Sequence, residues 1–204
     1  MSALILTFVS CKKNSNIPED VKWKITKEEP NSGLSKNNIE VSLNKKIDKQ
    51  VLEEIAMIIR ADRMEYNKLW IFYYIPNMTK GMAWATTHFT PNLEVNIIGS
   101  TENQDITNSK TSDIVGEVLN KWRSEKSLMG GTLILFKNSA QKKIMRITFK
   151  DGSKMDSEIV ESNLNGKLKY KDNNENGEFY ILELNGNLGL YGKNGKFDEA
   201  IKIE

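Results

Sequence analysis

The 204-residue chain has one cysteine and one histidine. A lone thiol forms no internal disulfide and no Cys-based metal cluster. A lone imidazole leaves a His-based metal site, or a Ser-His-Asp constellation, short of members. Charge of one sign is also lacking: 29 Lys and Arg stand against 27 Asp and Glu, a net of +2. The lysines are interspersed with carboxylates, so the electrostatic footprint of a nucleic-acid binder is absent. The N-terminal apolar run, Ser2–Ser10, is about half the ~20 residues needed to span a bilayer. Neither Asn31-Ser32-Gly33 nor Gly130-Gly131-Thr132 is followed by the Gly-Lys-Ser/Thr of a phosphate loop. No nucleotide, metal or other cofactor is expected. What remains, 39% apolar and 27% charged residues, is an ordinary globular composition, long enough for one large or two small domains.

The chain is organised around Leu69–Gly99. Leu69–Ile75 is β-branched and aromatic without helical spacing, and both its faces are apolar, so it reads as a strand covered on both sides. Pro76-Asn77 and Lys80-Gly81 break the run. Met82–Phe89 then sets Ala83, Ala85, Thr87 and Phe89 against Met82, Trp84, Thr86 and His88. Thr90-Pro91-Asn92 turns the chain into Leu93–Ile98, a third strand ended by Gly99. Upstream, Val21–Glu28 and Ile39–Leu43 alternate as half-buried strands. Asp48 caps a helix running to about Met64, whose stripe of Val51, Leu52, Ile55, Ile58 and Ile59 would cover the Ala83/Ala85 face. The order β-β-α-β-β-β gives an α+β domain over 21–99.

Polar Ser100–Ser112 reads as a linker, extended to residue 128. Beyond it, about seven short strand-like runs lie between 131 and 203. Many are separated by Asp151-Gly152, Asn165-Gly166, Asn185-Gly186 and Asn194-Gly195, which are strong hairpin signals. An antiparallel β-meander over 129–204, closed as a small barrel or stacked as a sandwich, follows. The fragment from Ile114-Val115-Gly116 to Trp122 resembles the opening Gly-x-Trp of lipocalin-like lipoproteins, with a longer spacing.

Few residues carry chemistry. His88 is either structural or hydrogen-bonds a ligand. If Leu69–Ile75 and Met82–Phe89 pair as a hairpin in the plain register, Trp70, Phe72, Tyr74, Trp84, Thr86 and His88 share one face with Lys22, Lys24, Glu40 and Glu94. An aromatic island on a polar face is a candidate binding surface; equally, the C-terminal domain could pack there and bury it. Asp62 and Glu65, beside Arg63, could serve as carboxylate partners of His88 in a hydrolase, but residues at a helix exit are usually solvated. Asp172–Gly177 has the composition of a Ca²⁺ loop without the roughly 12-residue spacing and closing Glu of an EF-hand, so a long hairpin loop accounts for it better.

Two resemblances bear on function. Phe8-Val9-Ser10-Cys11 resembles a bacterial lipobox, and the Lys- and Asn-rich tract after it looks like the tether of Bacteroidetes-type lipoproteins, residues 1–20 in all. Position 8 is Phe where Leu is commoner, and no Lys or Arg precedes the run, which a start placed further upstream would explain. The alternative is a plain N-terminal strand with a buried thiol. Tyr73-Tyr74-Ile75-Pro76-Asn77-Met78 followed by Gly81 and Ala83–Phe89 is similar to a block in small uncharacterised bacterial lipoproteins and plasmid- or phage-associated proteins. Phe149–Ser153, Gly177–Tyr180 and Leu188–Tyr191 look like the second module of such proteins. The resemblance implies a domain layout and carries no activity. Together they imply lipid attachment at Cys11 and an envelope protein held to the membrane. Its expected role is non-enzymatic binding of an envelope protein or small ligand. An immunity or exclusion lipoprotein acting against a toxin or phage is the alternative, and an envelope hydrolase using His88 a more distant one.

Overall fold

The computed structural model describes residues 16–78, 81–172 and 177–203. Cys11, the run before it, Lys80 and residues 173–176 of the Asp172–Gly177 loop lie outside the described residues. The protein is mostly β: a five-stranded sheet with one helix, then an eight-stranded antiparallel barrel.

The sheet comprises β1 (Trp23–Asn31), β2 (Lys36–Leu43), β3 (Lys68–Tyr74), β4 (Ala85–Phe89) and β5 (Leu93–Ile97), side by side in that order. All pairs are antiparallel except β2–β3, between which the helix α1 (Lys49–Ala61) crosses over. A parallel pair needs such a crossover, because a tight turn can only reverse the chain. The Asp48 carboxylate accepts the Val51 N–H at 2.9 Å and caps α1. Val51, Leu52, Ile55, Ala56 and Ile59 are buried against Ile39, Val41, Leu69, Ile71, Tyr73 and Ala85. Each fully buried Leu or Ile there contributes about 1.5–3 kcal/mol relative to exposure. The expected helix and the Ala85 face meet as the periodicity requires. Ile58, which the stripe included, is 42% exposed.

The second unit contains β6 (Gly116–Ser124), β7 (Gly131–Asn138), β8 (Lys143–Thr148), β9 (Lys154–Leu164), β10 (Lys167–Asp172), β11 (Phe179–Leu182), β12 (Leu188–Gly192) and β13 (Gly195–Ile203). Each strand pairs with its neighbour in sequence, and β13 returns to β6 through Ile201, Lys202 and Ile203 opposite Arg123, Trp122 and Lys121. Closure leaves the barrel without an edge. Trp122, Leu133, Leu135, Met145, Ile147, Ile159, Tyr170, Leu188 and Leu190 form its core. The Trp122 indole N–H donates to the Gly186 carbonyl at 2.8 Å, so this buried ring satisfies its one donor. At Asn165-Gly166 both φ angles are positive, 51° and 82°, the conformation a two-residue hairpin prefers.

The stretch 100–128 is not a linker. It holds a short helix, α2 (Glu102–Asn108), and β6, the strand that closes the barrel. Thr101 and Gln104 form a capping box at the start of α2. This helix packs on the outside of β7, whose Thr132, Ile134 and Phe136 are buried although they point away from the barrel interior. A bulge between Val118 and Asn120 breaks the alternation of β6, which hides it from a period-two reading.

The two units meet at Ser100. Its N–H donates to the Met129 carbonyl at 3.0 Å, and its carbonyl accepts the Trp84 indole N–H at 3.0 Å. Around it a largely buried ionic cluster closes: Lys46 Nζ reaches Asp105 at 2.7 Å and Glu125 at 2.9 Å, and Arg123 reaches Asp105 at 3.3 Å.

Candidate functional site

The sheet face turned away from α1 is built by strand register. Across the strands, Glu29, Asn38, Trp70, His88 and Glu94 fall in one row, and Lys27, Glu40, Phe72, Thr86 and Asn96 in the next. Directly opposed residues stand on the same face, so the pairing brings Trp70 and Phe72 beside His88 as the sequence suggests.

The Trp70 and His88 rings stack with centroids 5.0 Å apart and planes 25° from parallel, and Phe72 meets His88 edge-on at 6.5 Å. Lys36 Nζ lies 3.5 Å from the Trp70 ring centroid. That contact is worth about 0.5–1 kcal/mol at a partly exposed site. Trp70, Phe72, Tyr74 and His88 are all half-buried. Three polar atoms of the first row, Asn38 Oδ1, Trp70 Nε1 and His88 Nε2, are shielded from solvent and have no hydrogen-bond partner among the described residues. Such atoms cost roughly 1–3 kcal/mol each when left unsatisfied, so this row holds unused donor and acceptor capacity. Tyr74 stands at the end of β3, where burial and then the Glu40 carboxylate push its phenol above the usual tyrosine range.

Of the six candidate residues, one falls elsewhere and one is covered. Trp84 is fully buried in the core shared with α1. The regular strand begins one residue later, at Ala85, so the alternation read over Met82–Phe89 does not extend to Trp84. Its backbone N–H still bonds the Tyr73 carbonyl at 2.8 Å, while its indole turns inward to Ser100. Thr86 is on the ring face but only 6% exposed, so it forms part of the floor.

The ring face is not where the barrel packs. The bonds joining the units run through Lys46, Ser100, Asp105 and Glu125, with Lys150 reaching the Ile98 carbonyl. These lie beyond the end of β5 and at the start of α1. Among the described residues, no hydrogen bond or ion pair joins His88 to the Asp62 or Glu65 of the hydrolase reading. Asp62 ends α1, on the sheet face opposite His88, and Glu65 follows it, its carbonyl accepting from the Ser35 hydroxyl. The sheet therefore separates Asp62 from the imidazole. Among the described residues, no three His, Cys, Asp or Glu side chains converge as metal ligands, and no helix is long and apolar enough to cross a membrane.

Sequence reasoning missed the ionic cluster at the joint. Lys46, Asp105 and Glu125 are far apart in the chain and each sits in a polar stretch, so only the fold brings them together. No family model, curated protein or solved structure matches this chain.

Proposed function

We propose that this is a lipid-anchored envelope protein, held to the membrane through Cys11, that acts as a non-enzymatic binding module. Its contact surface is the half-buried ring column of Trp70, Phe72 and His88, with Tyr74 at its margin. One observation carries the reading: the column stays partly exposed on the sheet face opposite α1, while the barrel engages the sheet elsewhere. Aromatic rings beside unused polar atoms are the composition of a contact patch, where large apolar area gives affinity and the polar atoms give orientation. The anchor rests on the likeness of Phe8–Cys11 to a lipobox, and the resemblance to small bacterial lipoproteins is consistent with it.

The test places a photo-crosslinking amino acid at Phe72 in cells that carry the protein, with a second label at Val160, an exposed position on the barrel. A discrete adduct with an envelope component at position 72, lost on Trp70→Ala and absent at 160, is the expected result. Equal labelling at both positions, or none at 72, sinks the binding face. Incorporation of labelled palmitate into the wild type, abolished by Cys11→Ala, tests the anchor separately.

A further inference from the structure

The five-stranded sheet has two edges, and they are built differently. The outer edge of β1 carries Lys24, Lys27, Glu28, Glu29 and Pro30, and its register slips between Ile25 and Lys27. Charges, proline and a bulge are the devices that keep an edge from pairing with another chain. The edge at β5 has none of the last two and a single charge, Glu94; its five residues LEVNI pair with β4 without any slip.

The direction of its free backbone groups follows from the turn bonds. The Ile98 N–H donates to the Trp84 carbonyl at 2.8 Å, and the Thr90 N–H to the Asn92 carbonyl at 3.3 Å. With the register of β4 and β5, these fix Asn92, Glu94, Asn96 and Ile98 as the residues bonding inward to β4. Antiparallel ladders alternate, so Leu93, Val95 and Ile97 direct their N–H and C=O groups outward. Their side chains sit on the α1 face with Thr87 and Ala85, while Glu94 and Asn96 stand exposed on the ring face.

We propose that β5 pairs with β5 of a second copy of this chain, antiparallel about a two-fold axis at Val95. In that register Val95 faces Val95, and Leu93 faces Ile97 at both ends, so the outward backbone groups of all three residues meet their counterparts. On the other face Glu94 stands opposite Asn96 twice, which avoids facing carboxylates; a shift that put Glu94 against itself would not. Self-complementarity of this kind is what an isologous interface requires. The result is one continuous ten-stranded sheet. Its two ring columns share a face, with their β4 strands three strand spacings, roughly 14 Å, apart. The contact surface proposed above would then be presented in duplicate.

Sedimentation equilibrium of the full chain in reducing buffer tests this, over concentrations up to the solubility limit. The wild type is expected to dimerise reversibly. Asn96→Glu, which faces Glu94 with a like charge at two places, weakens the dimer about tenfold, and Asn96→Lys tightens it. Residue 96 is exposed, so both variants keep the fold, which circular dichroism confirms. Hydrogen exchange gives an independent readout. The Leu93, Val95 and Ile97 amides become protected as concentration rises, and do so less in Asn96→Glu. A chain that is monomeric throughout overturns the proposal. So does a dimer indifferent to residue 96, or one that leaves those three amides unprotected.

Discussion

A β-carbon added to Gly130 would lie 1.7 Å from the Ser100 hydroxyl oxygen, so the barrel's β6–β7 connection and the end of the sheet are in contact with no room between them. Gly99 is also close-packed on the other side, where an added β-carbon would come 2.6 Å from the Trp84 ring. Ser100 thus sits between two glycines that permit close approach, and its carbonyl, N–H and hydroxyl are all engaged.

Gly130 also has φ +93°, a conformation that costs other residues roughly 1–2 kcal/mol. Gly130→Ala combines that strain with overpacking, itself about 1–3 kcal/mol, for an expected loss of about 3 kcal/mol. Urea unfolding followed separately by Trp fluorescence and far-ultraviolet circular dichroism checks this. The two transitions should coincide in the wild type and separate in the variant, as the barrel and sheet lose their joint. Coincident transitions at unchanged midpoint would show that the contact is slack.

Glu125 in the ionic cluster has a definite pH signature. Burial raises its pKa, and Asp105 adds to the effect, although Lys46 opposes both. A carboxyl with a raised folded pKa binds its proton more tightly in the folded state. Its contribution to stability is therefore fully present below the unfolded value and is lost as pH rises through the folded one. Glu125→Gln removes that penalty. Its stability relative to wild type should rise between about pH 4.3 and neutrality, read as the difference in melting temperature across that range. A flat difference would mean that Lys46 fully compensates the burial. Asp105→Asn, in contrast, strips Lys46 and Arg123 of their shared partner and is expected to cost about 3 kcal/mol.

The parts of this fold that were legible in the sequence are those where one local rule decides. Asn165-Gly166 forces a two-residue turn, and the strands on either side come out one or two residues from where alternation places them. Asp48 and the apolar spacing after it define α1. The α2 helix went unread although Thr101-Glu102-Asn103-Gln104 has the form of a capping box, because its seven residues carry no apolar stripe and Ile106 is 58% exposed. β6 is concealed by its bulge. The ring face was legible as far as strand pairing determines it, for Trp70, Phe72 and His88. It failed at Trp84, where the chain leaves the ladder and the core, which no pattern of period two can see, takes the side chain. The joint at Ser100 was invisible because its members meet only in the tertiary structure.

Glu199 on β13 gives the opposite sign. Lys196, Asn187 and Asn185 all donate to its carboxylate and hold its pKa at about 2. With a folded value below the unfolded one, its stabilising contribution is present above the ordinary Glu value, 4.5, and is lost as pH falls from there towards 2. Thermal melts at stepped pH should show the wild type losing stability through this window more steeply than Glu199→Gln. Parallel curves would mean that the Lys196 and Asn187 contacts do not persist in solution.

Trp70 and Trp84 separate stability from contact. Trp84 is fully enclosed and its one donor is used, so Trp84→Ala should cost about 4 kcal/mol through cavity formation and the carbonyl left without its partner. Trp70 is half-buried, with its indole nitrogen unpartnered. It loses on truncation mainly the Lys36 cation contact and the stack on His88, about 1 kcal/mol. Trp70→Ala should therefore remain folded under conditions where Trp84→Ala has begun to unfold. A ring that contributes so little to the fold, yet stays on the open face of the sheet, is what the proposed contact surface requires. If chemical denaturation instead gives the two variants equal losses, Trp70 is a core residue in practice and the ring column is structural.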